Sequence, residues 1–125
     1  VVVGKHRSAS LGPTVAKTAC GAEETVPVAM ATNLAHAVET FKKAGFWVVG
    51  TLCEPDSQPY WRLKYDMPTL LLLGGEGEGL RPVMRKQCDF TAYIPMRGKV
   101  DSLNVSAAAA VFAFEIARQQ TSGSL

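Results

Sequence analysis

The sequence contains little cysteine and histidine, with three cysteines and two histidines among 125 residues. Cys20, Cys53 and Cys88 form no CxxC pair and lie in apolar or helical surroundings. That spacing argues against a disulfide framework or a structural zinc site, so we interpret all three as reduced, buried thiols of a cytoplasmic protein. His6 and His36 are too few and too far apart in sequence to suggest a metal centre.

Long hydrophobic runs and a large charge of either sign are also missing. The longest largely apolar run, 105–114, has about 10 residues, well short of the roughly 20 that cross a bilayer, and no signal peptide is recognisable. The net charge of +2 argues only weakly for a nucleic-acid partner, because RNA-binding domains are often more basic. The remaining composition, 47% hydrophobic and 19% charged, is typical of one globular domain with its own core.

Predicted strands and helices alternate along the chain. The β-branched run at the start indicates the interior of a buried strand. Thr32 is the predicted N-cap of a helix over 33–43 that Gly45 ends, and Ser102 or Asn104 is the predicted cap of a last helix. This alternation predicts an α/β domain with a parallel sheet covered on both faces. The other predicted elements are a helix over 11–20, strands over 26–30, 46–51, 69–74 and 91–94, a helix over 80–88, and a last helix that reaches about residue 120.

A glycine-rich loop follows the strongest predicted strand. Four glycines within 74–79 permit positive φ angles and a close approach of the backbone to a ligand. The loop matches neither GxGxxG nor GxxxxGK[ST], and Glu76 and Glu78 argue against a phosphate site. Acidic residues suit a ligand with cationic groups, such as the sulfonium and amino groups of S-adenosylmethionine, or ribose hydroxyls. Taken alone, the loop is more typical of a tight, solvated turn.

A second polar segment precedes the last helix. Ser102, Asn104 and Ser106 alternate with apolar residues there. A helix N-terminus offers unpaired N–H groups and the positive end of the helix dipole, and capping alone needs only one such residue. The run 107–114 is apolar almost all round, which predicts that this helix is buried inside the fold or against a second subunit.

Several segments together resemble the SpoU family of SPOUT RNA ribose 2′-O-methyltransferases, and the resemblance covers nearly the whole chain. They occur in the family's order and spacing: KHRSA at 5–9, ACGA at 19–22, GT at 50–51, GGEGEGL at 74–80 and IPMRGKVDSLNVSAA at 94–108. The subgroup that the chain resembles most methylates a guanosine ribose in large-subunit ribosomal RNA.

This resemblance implies a single SPOUT α/β domain over 1–125, with a parallel sheet, flanking helices and a C-terminal deep trefoil knot. It implies that the knot binds S-adenosylmethionine, mostly through backbone groups, and that polar side chains in the knot act on the substrate ribose and the methyl donor. The implied cofactor-binding residues are Thr51, Leu52, Gly74, Gly75, Glu76, Ile94, Met96, Leu103 and Asn104, and the implied catalytic residues are Glu76, Ser102 and Asn104.

The resemblance also implies partners and a reaction. Family members are homodimers that pack their knot helices together, so we expect a homodimer that acts on RNA, on ribosomal RNA before transfer RNA, and needs no metal. The RNA 2′-oxygen would attack the sulfonium methyl group directly, with positioning as the main contribution of the protein. Cations that could line an RNA-facing surface are Arg62, Lys64, Arg81, Arg85, Lys86, Arg97 and Lys99.

One family motif has no match in the sequence. Motif one supplies an asparagine and an arginine ahead of the strand at which this sequence opens, and that arginine is the usual candidate for activating the 2′-hydroxyl. Neither Arg7 nor Arg97 matches its position. We therefore expect the chain to lack the first strand and helix of the domain and any N-terminal RNA-binding domain. Two alternatives stay open: a non-catalytic relative that binds the cofactor or RNA, and a flavodoxin-like nucleotide-binding domain.

Overall fold

The computed structural model describes residues 1–4, 26–74, 79–99 and 103–121 of the chain. The chain divides into two compact units, residues 1–37 and 38–125. In the first unit, strand β1 (Val2–Gly4) pairs in parallel with β2 (Ala29–Ala31), which confirms the predicted opening strand. β2 begins later than predicted because Pro27 has no N–H for a strand ladder. The helix predicted over 11–20 lies outside the described residues.

Helix α1 (Leu34–Lys43) begins one residue later than predicted. The Oδ1 atom of Asn33 accepts the N–H of His36 at 3.1 Å. This bond satisfies one of the amides that have no partner in the first turn of a helix. Asn33 is therefore the N-cap, and the predicted assignment of that role to Thr32 is wrong.

The end of α1 confirms the predicted role of Gly45. This glycine has a φ angle of +100°, and its N–H donates to the carbonyl of Lys42 at 3.0 Å, while the N–H of Phe46 donates to the carbonyl of Phe41 at 3.1 Å. These two bonds define a Schellman motif. The rings of Phe41 and Phe46 meet edge to face at 5.1 Å and supply the apolar contact that accompanies such a motif.

The second unit contains a four-stranded parallel sheet in the order β4-β6-β3-β5. Three of its strands confirm predicted ones, and the parallel arrangement confirms the predicted fold class. The fourth, β4, was not predicted, since it is a two-residue strand that ends in a proline, a residue confined to sheet edges. The strands are β3 (Trp47–Thr51), β4 (Gln58–Pro59), β5 (Thr69–Leu72) and β6 (Phe90–Tyr93).

Successive residues of β3 face opposite sides of the sheet. Val48 belongs to a buried cluster with Val38 of α1, and Val49 belongs to a second cluster with Phe112 of helix α3 (Val105–Thr121). Helices therefore cover both faces, as predicted for a parallel sheet. Within the described ranges, no helix combines the length and the apolar character needed to span a bilayer.

Helix α2 (Pro82–Arg85) is shorter than the predicted helix over 80–88. Proline suits its first position, where a missing N–H costs nothing and the fixed φ angle is already helical. Lys86 still has helical dihedral angles, and the chain passes through a turn at residues 86–87 before β6 begins.

Helix α3 buries one face and exposes the other. Phe112 is 1% exposed, whereas Phe114 is 77% exposed. The prediction that this helix is buried inside the fold is therefore wrong for one of its faces, and burial against a second subunit stays a prediction. The exposed face, named here the alanine face, consists of Ala107, Ala110, Ala113, Phe114 and Ala117.

Gln119 fastens α3 to the segment between β4 and β5. Its amide nitrogen donates to the carbonyl of Leu63 at 2.9 Å, and its amide oxygen accepts the N–H of Tyr65 at 2.8 Å. Leu63 and Tyr65 are both buried beneath the helix.

Candidate functional site

Three neighbouring parallel strands end at the same edge of the sheet. β3 lies between β5 and β6, and the register places Gly50 beside Leu72 and Thr51 beside Ala92. The Thr51 hydroxyl donates to the carbonyl of Leu72 at 3.0 Å, and the N–H of Leu52 donates to the carbonyl of Ala92 at 3.0 Å. Two predicted cofactor residues therefore join the ends of both neighbouring strands, at the edge where parallel α/β sheets bind ligands.

Gly74 brings the two ends of the glycine-rich loop together. A Cβ atom at this position would lie 2.4 Å from the carbonyl carbon of Gly79 and 2.7 Å from its Cα atom, well inside the separation of about 3.5–4.0 Å that non-bonded carbons prefer. Gly79 has a φ angle of +65°, in the left-handed region that favours glycine. A narrow neck therefore closes the loop soon after β5 ends. Gly75 and Glu76, predicted for the same site, lie outside the described residues.

Gly50 allows the chain around α2 to pack directly on the backbone of β3. A Cβ atom at Gly50 would lie 2.4 Å from the Sγ atom of Cys88 and 3.0 Å from the side chain of Leu80. Burial raises the pKa of the Cys88 thiol, so this cysteine is a packing group of low reactivity. Cys53 and Cys88 are free thiols, as predicted, but Cys53 is exposed and its predicted burial is wrong. Cys20 lies outside the described part of the chain.

Asn104 is the N-cap of α3. Its Oδ1 atom accepts the N–H of Ser106 at 2.7 Å, and its backbone carbonyl accepts the N–H of Ala108 at 2.9 Å. The predicted cap is confirmed, and this asparagine has a structural role whether or not it also acts on a substrate. Leu103, directly before the cap, is 38% exposed. Ser102 lies outside the described residues.

The loop after β6 combines apolar anchors with exposed cations. Ile94 packs against the buried cluster that contains Phe112, and Met96 is half-buried. Arg97 and Lys99 are exposed on either side of a glycine with a φ angle of +90°. Neither cation forms an ion pair with an acidic residue of the described ranges. This loop places positive charge beside two predicted cofactor residues.

Sequence reasoning missed an acidic residue in the loop after β3. The Nε–H of Arg85 donates to the Oε2 atom of Glu54 at 2.8 Å. This hydrogen bond lowers the pKa of the Glu54 carboxyl and raises the pKa of the Arg85 guanidinium. Arg85 was predicted among the cations of an RNA-facing surface, which stays a prediction, and its guanidinium is engaged by Glu54. No local pattern could reveal the pair, because 31 residues separate its members.

Comparison with known proteins identifies the family that shares this arrangement. The model of the SpoU rRNA Methylase family matches residues 1–114. The chain belongs to the SpoU rRNA methylase family. This membership rules out the flavodoxin-like alternative and agrees with the resemblance of the sequence segments.

A curated SpoU-type relative is similar over nearly all of the chain. The 23S rRNA (guanosine-2′-O-)-methyltransferase RlmB of Pseudomonas aeruginosa is 50% identical over 121 residues, which make up 97% of this chain and 48% of that protein. The chain therefore spans about half the length of the curated relatives that it matches.

Two solved SpoU structures superpose closely on this chain. The TrmH/SpoU tRNA modifying enzyme of A. aeolicus has a TM-score of 0.85 at 26% identity, covering 99% of this chain and 64% of that chain. The SpoU methyltransferase AviRb from Streptomyces viridochromogenes, in complex with the cofactor AdoMet, has a TM-score of 0.81 at 31% identity, covering 97% and 49%. The α/β architecture described above is therefore that of solved SpoU enzymes.

Two cavities in the described part of this SpoU chain have none of the predicted cofactor residues in their lining. One, of about 280 Å³, is lined by Asp56, Arg85 and Thr91 among others. The other, of about 420 Å³, lies beside Tyr60 and Phe114. The edge where β5, β3 and β6 end remains the candidate site. Residues 75–78 and 100–102, which belong to it by sequence, lie outside the described ranges.

Proposed function

We propose that the chain binds S-adenosylmethionine and takes part in the 2′-O-methylation of a ribose in RNA, at a guanosine of 23S-type ribosomal RNA. One observation carries the proposal: in a member of the SpoU family, Thr51 ends one strand, and Leu52, Gly74 and Ile94 follow the ends of three strands that finish at one edge of the sheet. The names of the similar proteins, RlmB and the AdoMet-bound AviRb, support the same reaction and the same cofactor.

The residues present fit this cofactor. The mouth of the glycine-rich loop is too narrow for a side chain at Gly74, which leaves backbone N–H and C=O groups to face a ligand there. Leu52, Ile94 and Leu103 offer apolar surface of the kind that surrounds the few polar groups in cofactor sites. When bound, S-adenosylmethionine would supply a methyl group on a positively charged sulfur, an already activated form of that group.

The polar residues of the site are proposed to position the reacting groups. We assign Glu76, Ser102 and Asn104 to the substrate ribose and to the loops that surround it. The side chain of Asn104 is already held in place for this role, because its Oδ1 atom accepts a hydrogen bond from the Ser106 N–H at the first turn of α3. Holding a 2′-oxygen in line with the methyl group converts a bimolecular reaction into an effectively unimolecular one.

Further parts of the proposal concern topology and partners. We propose that the C-terminal part of the domain threads a deep trefoil knot and that two copies pair through the alanine face. An apolar face of this kind on one chain is typical of a surface covered in an assembly. Arg97 and Lys99 are proposed to meet RNA phosphates, and a ribosomal substrate would place the reaction in the cytoplasm.

Calorimetric titration of S-adenosylmethionine into this chain, at a concentration where its oligomeric state is known, tests the proposal first. We expect saturable binding with one cofactor for each chain, and absence of binding would contradict the proposal. Transfer of a labelled methyl group to 23S ribosomal RNA fragments tests the second step. The same fragments made with 2′-deoxyguanosine are the control and should accept no label.

A further inference from the structure

An ion pair connects the loop after β3 to helix α2. Both the Nε and the Nη2 groups of Arg85 donate to the same carboxylate oxygen of Glu54, the first at 2.8 Å. The Oδ1 atom of Asp56 lies 4.0 Å from Nη2 and adds a weaker attraction. One guanidinium therefore holds two acidic residues of one loop.

The same loop is fastened to the sheet on its other side. The N–H of Ser57 donates to the carbonyl of Glu54 at 2.9 Å, which closes a turn, and the N–H of Glu54 donates to the Ser57 hydroxyl at 2.9 Å. That hydroxyl also lies 2.8 Å from the hydroxyl of Thr91 in β6, which is 8% exposed. The turn is thus a rigid unit to which Arg85 attaches α2.

The ion pair joins the two segments that flank the candidate cofactor site. Glu54 lies two residues after Leu52, a predicted cofactor contact at the end of β3. Arg85 is the last residue of α2, the element that the glycine-rich loop feeds after its neck at Gly74 and Gly79. A change in the distance between the loop and α2 would therefore shift the chain segments that lead to Leu52 and to the neck at Gly74 and Gly79.

The ion pair between Glu54 and Arg85 contributes little to folding stability. The side chains of Arg85 and Glu54 are 33% and 37% exposed, and ion pairs exposed to this degree contribute little to stability. Their main effect is geometric, because they limit the relative positions of two loops. The ion pair between Lys42 and Asp89 also joins residues that are far apart in sequence, and its side chains are 36% and 24% exposed. This second pair ties the end of α1 to the start of β6, at the opposite edge of the sheet.

We propose that Glu54 and Arg85 are positioning residues that hold the loop after β3 against α2 and thereby set the affinity for S-adenosylmethionine. This inference rests on the proposed function. Neither side chain needs to touch the cofactor for this effect. Because Asp56 remains near Arg85, loss of the Glu54 charge should have a smaller effect than loss of the Arg85 charge.

The test measures cofactor affinity by calorimetry and the melting temperature by circular dichroism for Arg85→Gln, Glu54→Gln and the control Lys42→Gln. We expect Arg85→Gln to weaken binding about 5- to 10-fold and Glu54→Gln less, with melting temperatures within about 3 °C of the unmutated chain. Lys42→Gln removes the same charge from a similar pair and should leave affinity unchanged. Exchange of the two charges, Glu54→Arg with Arg85→Glu, should recover part of the lost affinity.

Other outcomes separate the inference from the proposed function. Equal affinities for Arg85→Gln and the unmutated chain would overturn the inference alone, as would an equal loss in Lys42→Gln. No binding by the unmutated chain would overturn the proposed function and this inference with it. If Arg85→Gln does not fold, Arg85→Lys keeps the charge but not the two-nitrogen contact, and it should still bind the cofactor more weakly, whereas unchanged affinity would contradict us.

Discussion

At the scale of single residues, Tyr65 combines burial with an ionisable group. It is 1% exposed, and its hydroxyl donates to the carbonyl of Tyr60 at 2.8 Å. Burial, with a smaller contribution from the negative charge of Glu115, raises the pKa of Tyr65 to about 12 from an ordinary value of 10.0. The phenol therefore keeps its proton in the folded chain at a pH where the unfolded chain loses it.

A pH dependence of stability follows from this shift. The stabilisation is complete below pH 10, where both states hold the proton, and is lost between pH 10 and pH 12. The loss amounts to about 2–3 kcal/mol. Tyr65→Phe has no such proton and should cost about 1 kcal/mol at neutral pH through the missing hydrogen bond. Urea denaturation from pH 9 upwards should show the stability advantage of the unmutated chain shrink to zero and then reverse, so that Tyr65→Phe is the more stable protein near pH 12, and parallel curves would contradict this account.

Gly74 is a second position where one atom decides the local structure. Gly74→Ala would place a methyl group 2.4 Å from the carbonyl carbon of Gly79, so the neck of the loop must open. We expect cofactor affinity to fall at least about tenfold, since displacements near 1 Å have effects of that size or larger in binding sites. Calorimetry measures this affinity.

The matched control for Gly74→Ala is Gly45→Ala. Gly45 has a φ angle of +100° and open space around its Cα atom, so alanine there should cost about 1–2 kcal/mol of stability without changing cofactor affinity. A normal affinity in Gly74→Ala, or an equal loss in Gly45→Ala, would show that the neck does not shape the site.

Single residues also show how far sequence reasoning reaches. The role of Gly74 in cofactor binding was implied by the family resemblance and stays a prediction. The loop around Gly74 could be assigned from the chain alone, because a glycine-rich segment after an apolar strand is a local pattern. The partnership of Glu54 and Arg85 could not, since it depends on how the sheet brings two distant loops together. The exposure of Cys53 was missed for a related reason: an apolar sequence neighbourhood does not fix which side of a loop meets solvent.

At the scale of elements, two helices begin with the same residue in the same role. Asn33 caps α1 and Asn104 caps α3, each through its Oδ1 atom. Only Asn104 lies in the segment predicted to act on the substrate. The two positions therefore allow capping to be separated from function.

Substitution of both asparagines tests this separation. Asn33→Ala and Asn104→Ala should each cost about 1 kcal/mol of stability, but only Asn104→Ala should also lower methyl transfer. Asn104→Asp keeps a capping oxygen and removes the amide nitrogen, so it should keep the stability and still lose most of the activity. Thermal unfolding and a methyl-transfer assay measure the two effects. Full activity in Asn104→Asp would show that Asn104 only caps α3 and does not act on the substrate.

Prediction of the elements succeeded where the signal was local. The apolar run of β3 and the glycine after α1 were assigned correctly because strand patterning and C-capping depend on neighbouring residues. Strand β4 was missed because two residues, one of them a proline, carry no periodicity, and they form a strand only because β6 lies beside them. Helix α2 was predicted too long because Cys88, which lies beyond its end, packs on β3 at Gly50 after the turn at residues 86–87.

At the scale of the whole molecule, the alanine face predicts self-association. Phe114→Glu places a charge at the centre of this face and should weaken the dimer at least about tenfold. Val83→Glu is the control, since Val83 is also an exposed apolar residue, at 53%, but lies on α2. Sedimentation velocity over a range of concentrations measures the effect. A monomer in the unmutated chain, or an equal effect of both substitutions, would contradict pairing through α3.

The placement of basic residues predicts which side of the molecule meets RNA. Arg97 and Lys99 lie in the loop after β6, whereas Arg62 and Lys64 have the same spacing and flank Leu63, which Gln119 holds near the far end of α3. Residues 104 and 119 of that helix are about 22 Å apart along its axis. The two pairs are therefore matched in charge and different in place.

Binding of a short fluorescent oligoribonucleotide at several salt concentrations compares them. Replacement of Arg97 and Lys99 by alanine should weaken binding and reduce the slope of log affinity against log salt by roughly 1.4, which corresponds to two lost phosphate contacts on a single strand. Replacement of Arg62 and Lys64 should leave the slope nearly unchanged. The opposite result would move the RNA to the other surface, and equal effects would indicate only non-specific attraction.

The amide of Gln119 has a consequence for contacts between molecules. An uncovered strand at the edge of a sheet has unpaired N–H and C=O groups. Strands of other molecules can pair with these groups, and such pairing begins aggregation. Here the edge strand β4 has only two residues, one of them a proline, and the chain turns directly after it through residues 60–62. The edge therefore offers a foreign strand few groups to pair with, and beyond the turn Gln119 engages the Leu63 carbonyl and the Tyr65 N–H. The helix that is proposed to join two copies thus also keeps these two backbone groups from pairing with another molecule.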